Sequence, residues 1–477
     1  MELTSLYTNR TPAAFTTIEA ELENGPSTKS SHWPIVAGGL HAVAARLGSP
    51  ALARAIASPF LFARNRRISM PEVSIREARS ILVVRMDSIG DLVLMSPFLR
   101  ELRRSNELAW ITLTVDSRFV NLVQLCPYVD EVVGFDPRSD STFSALALHA
   151  RALALCRACL WNRRFDLALI PRWDVDAYHA SFLAYFSGAS TRLAYSEEVS
   201  PRKQFLNRAY DKLFTHVIDD DMPKHEAEHN LDFLRAAGGE VCEDRLELWL
   251  GEGDRAVALG ALRKQGVAAQ DFVVAIAPGA GAAKRLWPLD RFAALGRFLI
   301  GEFDARLLIA GGPEDRDRGS YLREELGSAA VNLAGVLTLR ETAAAFERAH
   351  LAVTNDSGPM HLATAAGIPV AAISCHPAGG DPVHANSPVR FSPWTSRQWV
   401  LQPGVSAAPC TSACESPEAH CILGVPVEAV CEAAKMLVSP LRFQEEANAE
   451  ERHGIGRPAS VSSAEFARRR RGTCKTG

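Results

Sequence analysis

Three short turns in the sequence carry residues suited to chemistry on a charged ligand, and each turn follows an apolar run. The first turn reads RMDSIGD, from Arg85 to Asp91. Gly90 permits a sharp bend, and Asp91 lies where a helix would begin. A carboxylate there can remove a proton from a reacting hydroxyl, or it can simply cap the helix, which stabilises it by about 1 kcal/mol. The residues alone leave both roles open.

The second turn reads PGAGAAKRLWP, residues 278–288. Gly279 and Gly281 allow a ligand close to the backbone, and Lys284 and Arg285 can meet negative charge. A dinucleotide fingerprint does not fit, because Lys284 stands where the third glycine should be. A Walker A loop fails as well, since no Lys-Ser or Lys-Thr pair follows. The pattern predicts a loop that binds a diphosphate.

The third turn reads TNDSGPMHLATAAG, residues 354–367. Pro359 lies where the first helical position should be. Ser357, Gly358 and the next backbone N–H groups would face an anionic ligand at the helix N-terminus, with His361 one turn further. In the alternative interpretation, Asp356 or Ser357 only caps the helix and His361 lies on its surface.

Two other motifs resemble metal sites. His225 to His229 reads H-E-x-x-H, the pattern of zinc proteases, but the strongly charged surroundings predict an ordinary helix. Asp174-Val175-Asp176 is a D-x-D pattern after a predicted strand, and we expect a solvated turn there. Arg85 begins the first turn, and Arg172 comes just before the D-x-D pattern. Both arginines are candidates for contact with an anionic acceptor.

A group of cysteines near the C-terminus contains Cys410, Cys414 and Cys421, with His420 beside the last. Spacings of four and seven residues suit a metal less well than paired C-x-x-C units. The sequence therefore favours loop cysteines and leaves a metal or redox role open. No metal and no cofactor are expected in the site.

The elements that would position the three turns alternate between strands and helices. Apolar runs of the kind found in buried parallel strands occur in two series. The first comprises Ile81–Arg85, Ile111–Val115, Glu131–Phe135 and Leu167–Ile170, and the second comprises Phe272–Ala277, Arg306–Ala310, Leu351–Thr354 and Val370–Ser374. This alternation predicts parallel β-α-β units in two successive doubly wound α/β domains.

Four regions follow from this pattern. Residues 1–78 would be an N-terminal extension, partly disordered with short helices, and residues 444–477 a disordered tail. Residues 79–250 and 251–443 would be the two Rossmann-like domains. The Ala-rich segment 33–70 contains five arginines, so it favours either a helix packed on the body or a segment held at a membrane surface.

Composition excludes several classes of protein. Lys and Arg number 52 against 55 Asp and Glu, giving a formal charge of −3, which argues against a nucleic-acid binder. We find no signal-peptide pattern and no run of about 18 apolar residues. The cytoplasm, with peripheral contact to the inner membrane, is the expected location.

Four blocks of sequence, taken together, resemble glycosyltransferase family 9, the ADP-heptose:lipopolysaccharide heptosyltransferases. They lie in the family's order within roughly residues 79–440. The blocks are ILVVRMDSIGDLVLMSPFLRELR, PGAGAAKRLWPLDRFAALG, IAGGPEDR and NLAGVLTLRETAAAFERAHLAVTNDSGPMHLATAAGIPV. The resemblance implies a GT-B fold, in which two Rossmann-like domains face a central cleft, with the acceptor on the first and the nucleotide sugar on the second.

The resemblance also implies roles for individual residues. Asp91 matches the catalytic base, and Lys284 or Arg285 matches the diphosphate-binding lysine, since Leu286 is inserted before Trp287-Pro288. Asp356 matches the residue that holds sugar hydroxyls. Two further matches remain. The diphosphate cradle is matched by Ser357, Gly358 and His361, with Gly279 nearby. The acidic contact to the ribose is matched by Asp315 with Glu314.

The implied reaction is the inverting transfer of a heptose from ADP-heptose to a hydroxyl of a lipopolysaccharide core precursor. Protein cations and a helix dipole can offset the charge on the leaving diphosphate, so no metal is required. Two alternatives remain: another nucleotide-sugar transferase or epimerase on the same fold, and a non-catalytic binding module.

Overall fold

A computed structural model describes residues 50–62, 73–138 and 144–452. Most of the predicted N-terminal extension and the end of the predicted tail lie outside these residues. Among the described residues, no helix combines the length and apolarity needed to cross a membrane.

Two six-stranded sheets, all parallel, organise the described chain. The strands of the first sheet are β1 (Ser80–Arg85), β2 (Trp110–Asp116), β3 (Glu131–Phe135), β4 (Leu167–Ile170), β5 (Thr191–Tyr195) and β6 (His216–Ile218). The strands of the second are β7 (Val273–Ala277), β8 (Arg306–Ile309), β9 (Ala330–Asn332), β10 (Leu351–Asn355), β11 (Val370–Ile373) and β12 (Gln398–Leu401).

The two sheets share one topology. The first has the order β3-β2-β1-β4-β5-β6, and the second has the order β12-β11-β10-β7-β8-β9. Each is the doubly wound Rossmann order, read from opposite edges. The predicted α/β class with two Rossmann-like sheets is therefore confirmed.

Helices connect the strands. In chain order the α-helices are α1 (Pro50–Phe62), α2 (Ile89–Leu94), α3 (Ser96–Ser105), α4 (Val120–Val123), α5 (Ser144–Leu155), α6 (Ala180–Phe186), α7 (Pro201–Leu206), α8 (Glu226–Ala236), α9 (Glu252–Lys264), α10 (Leu289–Phe303), α11 (Arg316–Leu326), α12 (Leu339–Phe346), α13 (Gly358–Ala365), α14 (Pro388–Phe391) and α15 (Val427–Arg452).

The central strands form the core because their sequences are apolar on both faces. All six residues of β1, SILVVR, are buried, and so are all five of β7, VVAIA. Such continuous runs are expected where helices cover both sides of a parallel sheet. This burial places the strand ends, and the turns after them, at defined positions.

Two elements differ from the sequence prediction, and a third agrees with one of its alternatives. The helix predicted to begin at Asp91 starts two residues earlier and is followed by a second helix, so that α2 and α3 meet at Met95 shortly before Pro97. Helix α15 continues past Gln444 into the predicted tail. Helix α1 buries Ala53 and Ala57 in the core cluster of the first sheet, as expected for a helix packed on the body.

Candidate active site between the two sheets

The three turns identified in the sequence all lie at topological switch points. In the first sheet the order reverses between β1 and β4, and Asp91 follows β1. In the second sheet the strand order reverses between β7 and β10. The Pro278 turn follows β7, and the Asp356 turn follows β10. Ligands of doubly wound sheets bind beyond the strand ends at these points.

Asp91 lies in the first turn of helix α2, at its third residue, and Ser88 is the N-cap. The Asp91 Oδ2 accepts hydrogen bonds from the Ser88 hydroxyl at 2.8 Å and from the Ser88 backbone N–H at 3.2 Å. Its Oδ1 accepts from Arg85 at 2.9 Å and from Arg172 at 3.3 Å. Asp91 therefore stabilises the helix start and also carries a paired, buried charge.

The charges around Asp91 control its ionisation. Burial by itself would raise the pKa of Asp91, but Arg172, Arg85 and the bonds from Ser88 outweigh it and lower the pKa to about 2. Neighbouring Asp87 contacts the same two arginines, yet burial dominates there and raises its pKa to about 6. Asp91 is thus the more acidic of the two carboxylates and stays ionised well below neutral pH.

The two arginines differ in accessibility. The Arg85 side chain is completely buried and donates to Asn230 and to the Pro171 carbonyl as well as to Asp91. That burial favours a positioning role for Arg85 over the predicted acceptor contact. The Arg172 side chain is 14% exposed, so it stays a candidate for acceptor binding.

The turn of residues 278–288 after β7, called the donor loop below, places its two cations differently. Arg285 Nη1 donates to the Asp356 carbonyl at 3.1 Å, while Lys284 Nζ donates to the Cys414 carbonyl at 2.8 Å. The Arg285 Nε is buried without a hydrogen-bond partner among the described residues. Arg285 is therefore the cation nearer to the start of helix α13.

Asn355, which the sequence analysis did not single out, joins the donor segments. Its side-chain Nδ2 donates to the Pro278 carbonyl at 2.8 Å, and its Oδ1 accepts from the Trp287 backbone N–H at 3.2 Å. The residue is fully buried at the end of β10. A polar residue at the end of an apolar strand, directly before Asp356, was the available signal.

Helix α13 faces the first sheet's turn. Its N-cap is Ser357 and Gly358 is its first residue, so Pro359 lies one position later than expected. His361 is buried against Gly90, where an added Cβ would lie 2.5 Å from the His361 Cδ2. The two halves of the predicted site are therefore in contact, and His361 is not on an exposed helix surface.

Burial also shifts the pKa values of two ionisable residues at the start of helix α13. It lowers the pKa of His361 to about 3, so the imidazole is neutral at ordinary pH. Its Nδ1 has no hydrogen-bond partner among the described residues. Burial raises the pKa of Asp356 to about 6, with Arg285 acting in the opposite direction. The unsatisfied Nδ1 of His361 and Nε of Arg285 are suited to receiving a polar ligand.

The acidic pair after β8 meets the donor loop. Asp315 is buried, bonds to the Gly312 backbone N–H at 3.2 Å, and lies so close to Gly279 that a Cβ there would overlap its carboxylate. Burial and the adjacent Glu314 raise the pKa of Asp315. Glu314 itself is exposed. The structure thus brings Asp315 and Gly279 together, as a ribose and diphosphate site would require.

The D-x-D pattern is not a solvated turn. Asp174 is buried and pairs with Arg390 at 2.7 Å. Asp176 is also buried, and its carboxylate accepts hydrogen bonds from backbone N–H groups at the start of helix α6 and just before it. Both carboxylates are therefore engaged in holding the fold, and the expectation of solvent exposure was wrong.

The H-E-x-x-H helix is not solvated either. His225 bonds to the Ser392 carbonyl at 2.8 Å, and His229 stacks on Trp173 with ring centroids 4.7 Å apart. Glu226 pairs with Arg390. His225, Glu226 and His229 therefore have protein contacts, whereas Glu228 is exposed. This agrees with the prediction of an ordinary helix, although the burial of those three side chains was not anticipated.

Comparison with known proteins places this geometry in a class. Two Rossmann sheets whose switch points face each other match the GT-B heptosyltransferase fold. The chain belongs to glycosyltransferase family 9 (heptosyltransferase), whose sequence model matches residues 159–419. The protein is accordingly a glycosyltransferase, which argues against the non-catalytic alternative.

Relatives and solved structures agree with this assignment. The chain is 21% identical over 333 residues to the lipopolysaccharide core heptosyltransferase OpsX of Haemophilus influenzae, covering 68% of this chain and 84% of that one. A family 9 glycosyl transferase from Veillonella parvula aligns with a TM-score of 0.62 at 21% identity, over 77% of this chain and 99% of its own. Escherichia coli ADP-heptose lipopolysaccharide heptosyltransferase II aligns with a TM-score of 0.56 at 19% identity and the same coverage.

Proposed function

We propose that this glycosyltransferase moves a heptose from ADP-heptose to a hydroxyl of a lipopolysaccharide core precursor, with Asp91 as the general base. The observation that carries the proposal is the contact between the Gly90-Asp91 turn and His361 of helix α13. This contact puts an ionised carboxylate beside a helix N-terminus suited to a diphosphate. The names of the relatives support the choice of donor and acceptor.

The proposed reaction needs one displacement. The acceptor hydroxyl attacks the anomeric carbon, the bond from that carbon to the diphosphate oxygen breaks, and ADP leaves. The hydroxyl proton passes to Asp91. A carboxylate with a low pKa can do this because proton transfer need only accompany bond formation, and such catalysis contributes about 10²–10⁴-fold.

The donor half would stabilise the charge that develops on the leaving diphosphate. Arg285 contributes a guanidinium, which suits the charge and shape of a phosphate. The backbone N–H groups at Ser357 and Gly358 and the neutral imidazole of His361 would donate hydrogen bonds. Asp356 would accept hydrogen bonds from sugar hydroxyls, and Asp315 from the ribose.

Location is a further part of this proposal. A lipopolysaccharide core precursor is anchored in the inner membrane, so an enzyme that glycosylates it would work at the cytoplasmic face. Peripheral contact through the segment 33–70 stays a prediction, because much of that segment lies outside the described residues.

Replacing Asp91 tests the proposal. Asp91→Asn keeps the size of the side chain but removes the base, so turnover with ADP-heptose and a core acceptor should fall by about 10²-fold or more. ADP binding, measured by calorimetry, should persist because the donor residues are unchanged. A panel of other nucleotide sugars, run in parallel, identifies the preferred donor.

Asp254→Asn is the matched control. Asp254 also stands at the third position of a helix, bonds to the N-cap backbone of Gly251 at 2.8 Å and pairs with an arginine, Arg340, at 2.9 Å. It lies in helix α9, which precedes β7 and carries none of the proposed site residues. If Asp91→Asn turns over as fast as the control, Asp91 serves only the helix and the base lies elsewhere.

A further inference from the structure

Four metal-ligating side chains meet in the segment between β12 and α15. Their ligand atoms all lie within 4.8 Å of one another. This group, called the cysteine cluster below, consists of Cys410, Cys414, His420 and Cys421. Nothing in the glycosyl-transfer mechanism uses it.

The distances within the cysteine cluster match a tetrahedral metal site. The His420 Nδ1 lies 3.6 Å from the Cys410 Sγ and 3.5 Å from the Cys421 Sγ. In a tetrahedral zinc site with the usual bond lengths, a sulfur and a nitrogen ligand are about 3.6 Å apart. Three cysteines and one histidine form one of the common structural zinc sets.

Further contacts resemble the supporting shell of a metal site. The Glu415 backbone N–H points at the Cys410 Sγ at 3.4 Å, a bond that stabilises a thiolate ligand. Cys414 and Cys421 are almost fully buried. Cys410 is half-buried, so all three thiols lie beside the imidazole with at most partial exposure to solvent.

The segment itself needs a cross-link. Residues 402–420 contain no helix or strand, and structureless loops longer than about 12–15 residues are uncommon in compact domains. A disulfide could close only one pair of cysteines and would leave the third thiol and His420 unexplained. The cysteines here are free, so the arrangement favours an ion that uses all four ligands.

We propose that the cysteine cluster binds one structural zinc ion. Zinc suits this mixture of thiolate and imidazole ligands, and four protein ligands leave no open position for catalysis. The spacing of the cysteines favoured loop cysteines and left a metal role open, whereas in the fold His420 and Cys421, although adjacent in sequence, reach the same centre. The chain turns into a short 3₁₀ helix at Cys421, which allows both to point inward.

The zinc site would also hold the donor loop. Cys414 is a ligand, and its carbonyl accepts the hydrogen bond from Lys284. Beyond Cys421, the Val425 carbonyl accepts hydrogen bonds from Trp287 at 2.9 Å and from Arg291 at 2.8 Å. The ion would therefore support the segment against which the donor loop is packed, a consequence that rests on the proposed function.

Metal analysis of the full-length protein tests the site directly. The protein is purified in reducing buffer through a tag that does not bind metals, and its zinc is measured by inductively coupled plasma mass spectrometry. We expect one zinc per chain. Cys410→Ser should lower the zinc content about tenfold or more, whereas Cys431→Ser, a change at another half-buried cysteine, should leave it unchanged.

A second measurement keeps the test decisive if Cys410→Ser fails to fold. Wild-type protein stripped of metal and titrated with Co²⁺ should show the absorption of tetrahedral cobalt with thiolate charge transfer. Iron in place of zinc, a disulfide within the cysteine cluster, or equal zinc in both variants would overturn the proposal.

ADP affinity separates this proposal from the proposed function. Removing the zinc should weaken ADP binding several-fold, because the segment against which the donor loop packs would lose its support. Stoichiometric zinc with unchanged ADP affinity would disprove the link to the donor loop. If the zinc-loaded wild type does not bind ADP, the proposed donor is wrong while the zinc site stands.

Discussion

Asp91 has a low pKa because two arginines pair with its carboxylate and Ser88 donates hydrogen bonds to it. Those contacts keep the carboxylate ionised and fix its direction, but they also reduce its strength as a base. Arg85 is completely buried, whereas the Arg172 side chain is 14% exposed. An acceptor bound by Arg172 would draw that cation partly away, and Asp91 would become more basic as the acceptor hydroxyl arrives.

At the same scale, the structure predicts which cation matters more for the donor. Arg285→Ala should weaken ADP binding about tenfold or more, since a hydrogen bond to a charged group contributes roughly 1.5–3 kcal/mol. Lys284→Ala should cost less, because its ammonium group is already engaged by the Cys414 carbonyl. Isothermal titration calorimetry with ADP measures both.

Arg348→Ala is the control for this pair, because Arg348 bonds to the Ala269 carbonyl before β7 and not to the donor loop after that strand. Its ADP affinity should equal that of the wild type. A larger loss for Lys284→Ala than for Arg285→Ala would reverse the assignment.

The important contact between elements is that of helix α2 with helix α13. The first follows β1 and the second follows β10, so their packing sets the distance between base and donor. Gly90 faces His361 on one side of the contact, and Gly358 faces Ile89 on the other, where an added Cβ would lie 3.0 Å from the Ile89 Cβ. Two glycines let the helices approach closely.

Gly90→Ala should therefore disturb both stability and turnover. The new methyl group would overlap the buried His361 ring, and overpacking of this kind costs about 1–3 kcal/mol. Moving His361 would also displace a proposed donor ligand. Urea unfolding and steady-state kinetics measure the two effects.

Gly260→Ala is the comparison, since a Cβ there meets no atom within 4 Å and Gly260 lies in the interior of helix α9. Alanine at that position should stabilise the helix by up to about 1 kcal/mol without changing turnover. Equal effects of the two substitutions would mean that the contact between α2 and α13 tolerates more space than the structure shows.

Across the whole molecule, Arg390 connects the two sheets. It lies in helix α14, after the second sheet's β11, and pairs with Asp174 and Glu226 from the first half of the chain. All three side chains are buried, and Glu226 also lies 3.7 Å from Arg85. A continuous set of charges thus runs from helix α14 to Asp91.

Removing Arg390 should be costly. Arg390→Met leaves two carboxylates buried without their partner, and breaking such a pair costs about 3–5 kcal/mol. Arg297→Met, which breaks the exposed pair with Glu325, should cost no more than about 1 kcal/mol. Urea denaturation of both variants gives the comparison, and similar values would show that the buried pair contributes no more than a surface one.

The sequence predicted the central strands and the turns after them, because both depend on local patterns. β3 and β4 have the predicted bounds, and β1, β7 and β10 differ from them by one residue at an end. β5, β6, β9 and β12 were missed. They lie toward the sheet edges, are three to five residues long, and contain polar or charged residues that interrupt an apolar run.

What the sequence by itself determined is the α/β class, the family resemblance and the three turns that carry Asp91, Arg285 and Asp356. Only the tertiary structure decided how distant side chains combine. Arg390 meets Glu226, and His361 meets Gly90, because two sheets pack with their switch points facing. No local pattern encodes such pairs, since each depends on where the rest of the chain places both partners. The burial of Asp174, which spacing suggested would be solvated, has the same cause.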